Sequence, residues 1–137
     1  MTRAVFHKVS SMRVQEAAAL LAAGYYPGAY YLIGYAVECA LKACVAKQVK
    51  RFDFPDKKLA NEAFTHHLET LIRVAGLEPE FKRDCKANSE LDLNWATVKD
   101  WSEAVRYRTD ITELEARDLY DACTGRNGVL PWVKKRW

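Results

Sequence analysis

The stretch that decides the fold is residues 27–51, PGAYYLIGYAVECALKACVAKQVKR. Apolar residues recur along it at steps of three and four, the spacing of one broad apolar face of an α-helix: Ile33, Val37, Ala40, Leu41, Cys44 and Val45. Proline suits the first turn of a helix, so Pro27 marks its start. The pattern predicts a helix from Pro27 to Arg51, with Glu38 and Lys42 as an i, i+4 ion pair on it.

Helical spacing continues on both sides of this stretch. We predict helices over residues 10–23, 65–75, 79–87, 95–105 and 111–124, and residues 129–133 can resume a helix. No segment alternates between apolar and polar residues for six positions or more, and no strand pattern flanks the Asn127-Gly128 dipeptide. The sequence therefore predicts an all-α, up-and-down four-helix bundle with an additional short helical segment, as one domain over residues 1–137.

The predicted helix ends carry residues that cap helices. Ser10 or Ser11 can cap the first helix, and Thr65 and Thr112 stand before two later ones. Gly24 and Gly76 stand where a C-terminal glycine ends a helix. Residues 52–64 combine proline with several charges and are predicted to form a polar connection.

The composition indicates a soluble domain with a packed core. Half of the 137 residues are hydrophobic and 28% are charged. The net charge of +3 is too small to require a nucleic-acid partner, and it does not exclude one. Glu38 and Lys42 interrupt the longest apolar run, Ala29 to Ala46, so we expect no membrane span. The first residues lack the apolar core of a signal peptide, and we expect a cytoplasmic protein.

Motifs for metals and cofactors are not found. The sequence has no Walker loop, dinucleotide fingerprint, zinc-ligand cluster or nucleophile elbow. Cys39 and Cys44 point about 140° apart on one helix, so they do not easily share a metal or a disulfide. We expect no cofactor, no metal site and four reduced cysteines that serve as small core residues.

Four segments in order resemble one known family. Residues 29–43, AYYLIGYAVECALKA, resemble the signature helix of HEPN domains, helical modules named for nucleotide binding in higher eukaryotes and prokaryotes. Gly24-Tyr25-Tyr26 precedes that helix, as in the family. Thr65-His66-His67-Leu68 resembles the family's threonine-histidine-x-leucine segment, and Trp101-Ser102 through Arg106-Tyr107-Arg108 resembles its arginine-tyrosine segment. The resemblance spans residues 10–133.

This resemblance implies a helical bundle that is frequently a homodimer, with a polar cleft at or beside the dimer interface. Many members of the family are metal-independent endoribonucleases of defence or toxin–antitoxin systems, and some work with a small nucleotidyltransferase. The nuclease members carry an arginine and a histidine that are separated by four to six residues, so that the histidine lies five to seven positions after the arginine. The nearest start in this chain is Arg126-Asn127, but residues 131–133 are Pro-Trp-Val. The resemblance therefore does not supply the catalytic pair.

The candidate site residues follow from the chemistry that RNA requires. A histidine can act as the base for a 2′-hydroxyl, which makes His66 and His67 candidates, and Arg106 can stabilise a phosphate. Glu38, Lys42, Arg106, Tyr107 and Arg108 are candidate ligand-binding residues, with Tyr107 able to stack a base. The alternatives stay open: a packed or solvated histidine, a register-fixing Glu38–Lys42 pair, and surface salt bridges at Arg106 and Arg108.

Two tyrosines are candidates for a subunit interface. Tyr31 and Tyr35 lie one turn apart on the predicted second helix, away from the line of Ile33 and Val37. Tyrosine is enriched at interfaces, so these side chains fit a homodimer contact, while ordinary packing within the chain explains them equally.

We therefore expect a HEPN-like nucleotide- or RNA-binding module. It is expected to be dimeric and to work with a nucleotidyltransferase or another defence partner. The alternatives are a metal-independent endoribonuclease with a displaced histidine base and a non-catalytic scaffolding dimer.

Overall fold

The computed structural model describes residues 1–51 and 57–137; for residues 50, 51 and 57–59 it describes the backbone alone. Eight α-helices and one 3-10 helix follow one another in the described residues: α1 (Arg3–Ala23), α2 (Tyr26–Arg51), α3 (Lys57–Glu62), α4 (Leu68–Val74), α5 (Glu78–Ala87), α6 (Ser89–Val98), the 3-10 helix (Glu103–Tyr107), α7 (Glu113–Thr124) and α8 (Val129–Lys134). These ranges contain no strand. The predicted all-α bundle with additional short helices is confirmed.

Helix α2 is the centre of the bundle. Its middle is buried almost without interruption, including Ile33, Val37 and Leu41, each 0% exposed. Helix α1 packs along it, and α4, α7, α8 and the 3-10 helix also contact it. Several neighbouring helices therefore cover the apolar face from which α2 was predicted.

Helix α1 begins seven residues before its predicted start. Thr2 is the N-cap, and its Oγ1 accepts a hydrogen bond from the Val5 amide. Ser10 lies inside the helix, where its buried hydroxyl donates to the Ala36 carbonyl at 2.8 Å. The predicted cap at Ser10 or Ser11 is wrong because that hydroxyl joins α1 to α2. The helix ends at Gly24, whose φ of 84° satisfies the predicted C-terminal glycine.

The predicted helix over residues 95–105 is confirmed for residues 95–98 only. Helix α6 ends at Val98, and the chain then turns so that Trp101 is buried (1% exposed) against Gly34 of α2. A methyl group at Gly34 would lie 2.2 Å from the Trp101 ring, so the glycine makes this close approach possible. Trp101 thus anchors the start of the 3-10 helix on α2, and this contact overrides the helical spacing of Trp101 and Val105.

The remaining helix starts are close to their predicted positions. His67 is the N-cap residue of α4, and Thr65 acts two positions earlier, accepting a hydrogen bond from the His67 amide through Oγ1. Gly76 has the positive φ expected of a helix-ending glycine. Thr112 caps α7 as predicted, accepting from the Glu115 amide. Within the predicted polar connection, residues 57–62 are helical and residues 52–56 lie outside the described residues.

Helix α2 meets the length and composition of a membrane span. Its stretch Tyr26–Val49 passes that test although Glu38 and Lys42 interrupt it, so the sequence argument from these two charges is not sufficient. In the fold, 67% of the apolar window is buried, which is the arrangement of a core helix.

Arg136, one of the last residues, is held against the rest of the fold. The Arg136 guanidinium stacks on Trp132 at 3.6 Å and pairs with Glu80 at 2.8 Å and with Asp84 at 3.3 Å. Trp132 also donates its indole N–H to Asp84 at 2.9 Å. These contacts fasten the end of the chain to α5.

Candidate functional site

The site is built around Glu38, a carboxylate buried in the middle of α2 (2% exposed). Both of its oxygens have partners. Oε2 lies 3.4 Å from the Lys42 ammonium one turn later, and Oε1 lies 2.9 Å from Nδ1 of His66. A buried carboxylate is costly unless it is paired, so these two contacts explain how it is accommodated. The predicted i, i+4 pair is confirmed, and His66 is its additional partner.

His66 connects α2 with the 3-10 helix. Its Nδ1 faces Glu38, and its Nε2 lies 3.1 Å from Oε2 of Glu103. A neutral imidazole donates through one nitrogen and an imidazolium through both. Each ring nitrogen faces one carboxylate. Because these two carboxylates belong to elements that are far apart in the sequence, the contacts fix the orientation of the ring between α2 and the 3-10 helix.

Arg106 and Tyr107 continue this line of side chains at the surface. The Arg106 guanidinium lies 4.0 Å from Glu103 and donates to the Tyr107 hydroxyl at 2.8 Å. It also lies over the tyrosine ring, 4.8 Å from its centre. Tyr107 is 74% exposed. An exposed aromatic ring with an arginine beside it is a platform on which a flat ligand can stack.

These contacts define what we call the charge chain: Lys42, Glu38, His66, Glu103 and Arg106, with alternating sign if His66 is protonated. Four of its five members were predicted as site residues: Glu38, Lys42, His66 and Arg106. Glu103 was not, because its link to His66 joins residues 37 positions apart and leaves no local pattern.

Besides Tyr107, two predicted site residues lie outside the charge chain. His67 is exposed and contacts Thr65 through its backbone amide. Arg108 pairs with Asp110 at 3.1 Å and with Glu115 at 3.5 Å, which is the surface salt-bridge alternative. The hydrogen bond from Arg108 lowers the pKa of the Asp110 carboxyl below its ordinary value.

A cavity of about 990 Å³ opens beside the charge chain, between α1, α2 and α3. Glu38, Lys42 and His66 form one polar wall of it. Most of the other lining side chains are apolar, among them Phe6, Val45, Val49, Ala63 and Phe64. The sequence reasoning missed this cavity, because its walls come from segments that have no shared periodicity.

Cys39 and Tyr35 also line the cavity. Burial raises the pKa of the Cys39 thiol to about 11, with a further contribution from the Glu38 charge. Burial likewise raises the pKa of Tyr35. Both groups keep their protons at neutral pH, so Cys39 is poorly suited to act as a nucleophile.

Arg126 and Asn127 line a second pocket of about 290 Å³, on the side of α6 and α8. The Asn127 side chain accepts from the Asn88 amide at 3.1 Å and donates to Glu90 at 2.8 Å. These bonds tie the start of α6 to the turn before α8. The described lining contains no histidine.

Tyr31 and Tyr35 pack within the chain. Their rings lie 6.0 Å apart, and the Tyr31 ring lies 6.0 Å from that of Trp101. Tyr35 also lies under the Arg13 guanidinium at 5.9 Å. Both side chains remain partly exposed, so packing within the chain covers only part of each ring.

The described residues contain no group of three or more metal-ligating side chains. All four cysteines are free and buried. Comparison of the chain with models of known protein families, with curated proteins and with solved structures finds no match.

Proposed function

We propose that this chain is a HEPN-like nucleotide- or RNA-binding module. In this proposal the contact surface consists of His66, Arg106 and Tyr107, beside the Glu38–Lys42 pair. The observation that carries it is the bridge from Glu38 through His66 to Glu103, because it joins residues from three segments into one surface.

The chemistry of these side chains supports such a ligand. Tyr107 offers an exposed ring on which a base can stack, and Arg106 offers a cation next to it for a phosphate. His66 lies on the same surface, 40% exposed in its side chain, and its Nε2 can donate to a phosphate or a ribose oxygen that takes the place of Glu103.

RNA binding by matched arginine variants tests the proposal. We expect Arg106→Ala to weaken the binding of a fluorescein-labelled, single-stranded RNA about five- to twentyfold in fluorescence anisotropy, and to lower its salt dependence. Arg117→Ala is the control, because Arg117 is also a surface arginine paired with a glutamate one turn away, at 3.1 Å. Equal effects of the two variants would contradict the proposed surface.

One observation also favours a second function, metal-independent RNA cleavage. Glu38 holds His66 at Nδ1, and the other nitrogen, Nε2, faces the surface 3.1 Å from Oε2 of Glu103, a contact that a substrate hydroxyl would have to replace. A carboxylate that orients an imidazole is the usual support of a general base. With Arg106 as the cation that stabilises the phosphate, the side chains of a displaced catalytic site are present.

Cleavage of RNA in the presence of EDTA tests this second function. If His66 is the base, His66→Ala abolishes cleavage while His67→Ala retains it, since His67 is adjacent in sequence and outside the charge chain. Cleavage that survives in His66→Ala, or that is absent from folded wild-type protein, would contradict it and leave the binding function.

The expected homodimer, the nucleotidyltransferase or defence partner and the cytoplasmic location belong to the same proposal. The partial exposure of Tyr31 and Tyr35 is compatible with a subunit contact there. Sedimentation velocity of wild type and Tyr35→Arg measures the oligomeric state: a dimer that the variant dissociates supports the interface, and a wild-type monomer contradicts it.

A further inference from the structure

We propose that the cavity between α1, α2 and α3 is a separate binding site for a small amphipathic anion, with an aliphatic or aromatic body and one carboxylate-type head group. This inference does not depend on the nucleotide- or RNA-binding surface, although His66 borders both. Four features of the cavity support it: its size, its apolar walls, its supply of hydrogen-bond donors and the apolar side chains at its opening.

The size and the walls fit the body of such a ligand. A volume of about 990 Å³ lies at the upper end of the range of small-molecule sites. Phe6, Val45, Val49 and Ala63 line it, and these side chains offer no strong hydrogen-bonding group. An apolar body gains free energy by leaving water for such a surface.

The polar wall determines the head group. Both Glu38 oxygens already have partners, so this carboxylate has little capacity left for a ligand cation. The Lys42 ammonium has three N–H groups, of which one faces Glu38. Arg3 is a second cation in the lining; its Nη2 donates to the Trp137 carbonyl, and its Nε has no hydrogen-bond partner among the described residues. Free donors therefore exceed free acceptors in the described lining, which favours an anionic acceptor.

The exposed side chains at the cavity support its use as a site. Met1 and Phe64 line the cavity and are 87% and 77% exposed. These two large side chains adjoin an apolar cavity and are highly exposed. They therefore continue the apolar surface of the cavity out to the solvent. A ligand body that enters the cavity would cover part of both.

Titration calorimetry with decanoate, octanoate and decylammonium tests the ligand class. We expect decanoate to bind with one site per chain and octanoate to bind about 16-fold more weakly, at about fourfold per methylene. Decylammonium has the same chain with the opposite charge and should bind at least tenfold more weakly than decanoate. Equal binding of decanoate and decylammonium, or no binding of either, would overturn the proposal.

Two pairs of variants locate the binding. Ala46→Trp places a large ring in the cavity and should abolish decanoate binding, whereas Ala96→Trp, on the exposed face of α6, should not. Lys42→Met should remove the preference for decanoate over decylammonium, whereas Lys82→Met, at another i, i+4 pair, should keep it.

Circular dichroism checks that each variant folds. If Ala46→Trp does not fold, the comparison of Lys42→Met with Lys82→Met and the binding of the three ligands to wild-type protein still test the proposal. Decanoate binding that persists in a folded Ala46→Trp would overturn the assignment to this cavity. RNA binding by wild-type protein is unaffected by that outcome, so the two proposals fail separately.

Discussion

The substitution Gly34→Ala tests how the 3-10 helix is held on α2. An ideal Cβ at this position lies 2.2 Å from Nε1 and Cε2 of Trp101 and 2.3 Å from its Cδ1. The ring is 1% exposed, so it cannot move aside into solvent. Overpacking of a core costs about 1–3 kcal/mol, and a contact as close as 2.2 Å belongs to the upper part of that range, about 2–3 kcal/mol. Alanine gains about 1 kcal/mol over glycine inside a helix. We therefore expect a net loss of about 1–2 kcal/mol.

Urea unfolding followed by far-UV circular dichroism measures this loss, and a thermal scan should show a melting temperature lower by about 3–8 °C. Gly28→Ala is the matched control on the same helix. Its new methyl group would meet only the end of the Leu20 side chain, at 3.2 Å. This variant should be unchanged or more stable by up to about 1 kcal/mol.

A double-mutant cycle isolates the cause. Trp101→Ala alone should destabilise by about 3–5 kcal/mol, because it leaves a cavity in the core. In the Gly34→Ala background the smaller side chain relieves the clash, so the combined loss should be less than the sum of the two. Gly34→Ala protein that is as stable as wild type, or more stable, would refute the reasoning.

Three further predictions concern burial and capping. Desolvation and the nearby Arg3 charge lower the pKa of His7, whose ring stacks on Trp137 at 4.0 Å. Folding therefore favours the neutral form of His7. The resulting contribution to the stability of the protein is complete above the ordinary histidine pKa, and it is lost as the pH falls from there through the lowered pKa of the folded state. The urea midpoint should drop less between pH 7 and pH 5 in His7→Phe than in wild type, and an equal drop would contradict this. Asn88→Ala should lower the unfolding free energy by about 1–2 kcal/mol, because the Asn88 side chain accepts from two amides at the start of α6; a change under about 0.3 kcal/mol would refute the cap. Because all four cysteines are buried, the folded protein should react slowly with a thiol reagent and the urea-unfolded protein quickly at four sites, while a rapid native reaction would contradict the burial.

The sequence predicts the elements whose evidence is local. The apolar spacing from residue 27 to residue 51 gives α2 within one residue of its observed start at Tyr26. Thr112 caps α7 as predicted because capping depends on a few neighbouring residues. Where several polar residues could cap one helix, as at Thr2, Ser10 and Ser11, the choice depends on a partner helix that the sequence does not identify.

Long-range contacts account for the elements that the sequence did not predict. The helix expected over residues 95–105 ends early because Trp101 packs on Gly34, 67 positions earlier. The same limit applies to the site. The Glu38–Lys42 pair follows from the helical repeat, whereas the contact of His66 with Glu103 appears only when α2, α4 and the 3-10 helix are placed together.

The most direct test of the proposed binding surface is RNA binding by two tyrosine variants. Tyr107 and Tyr25 are both exposed, at 74% and 65%, but only Tyr107 stacks with Arg106 in the described structure. In fluorescence anisotropy with a labelled single-stranded RNA, we predict that Tyr107→Ala weakens binding about five- to thirtyfold, the contribution of about 1–2 kcal/mol from one stacked base. Tyr25→Ala should bind as wild type does. Wild-type protein that binds no RNA, or equal losses in the two variants, would contradict the account.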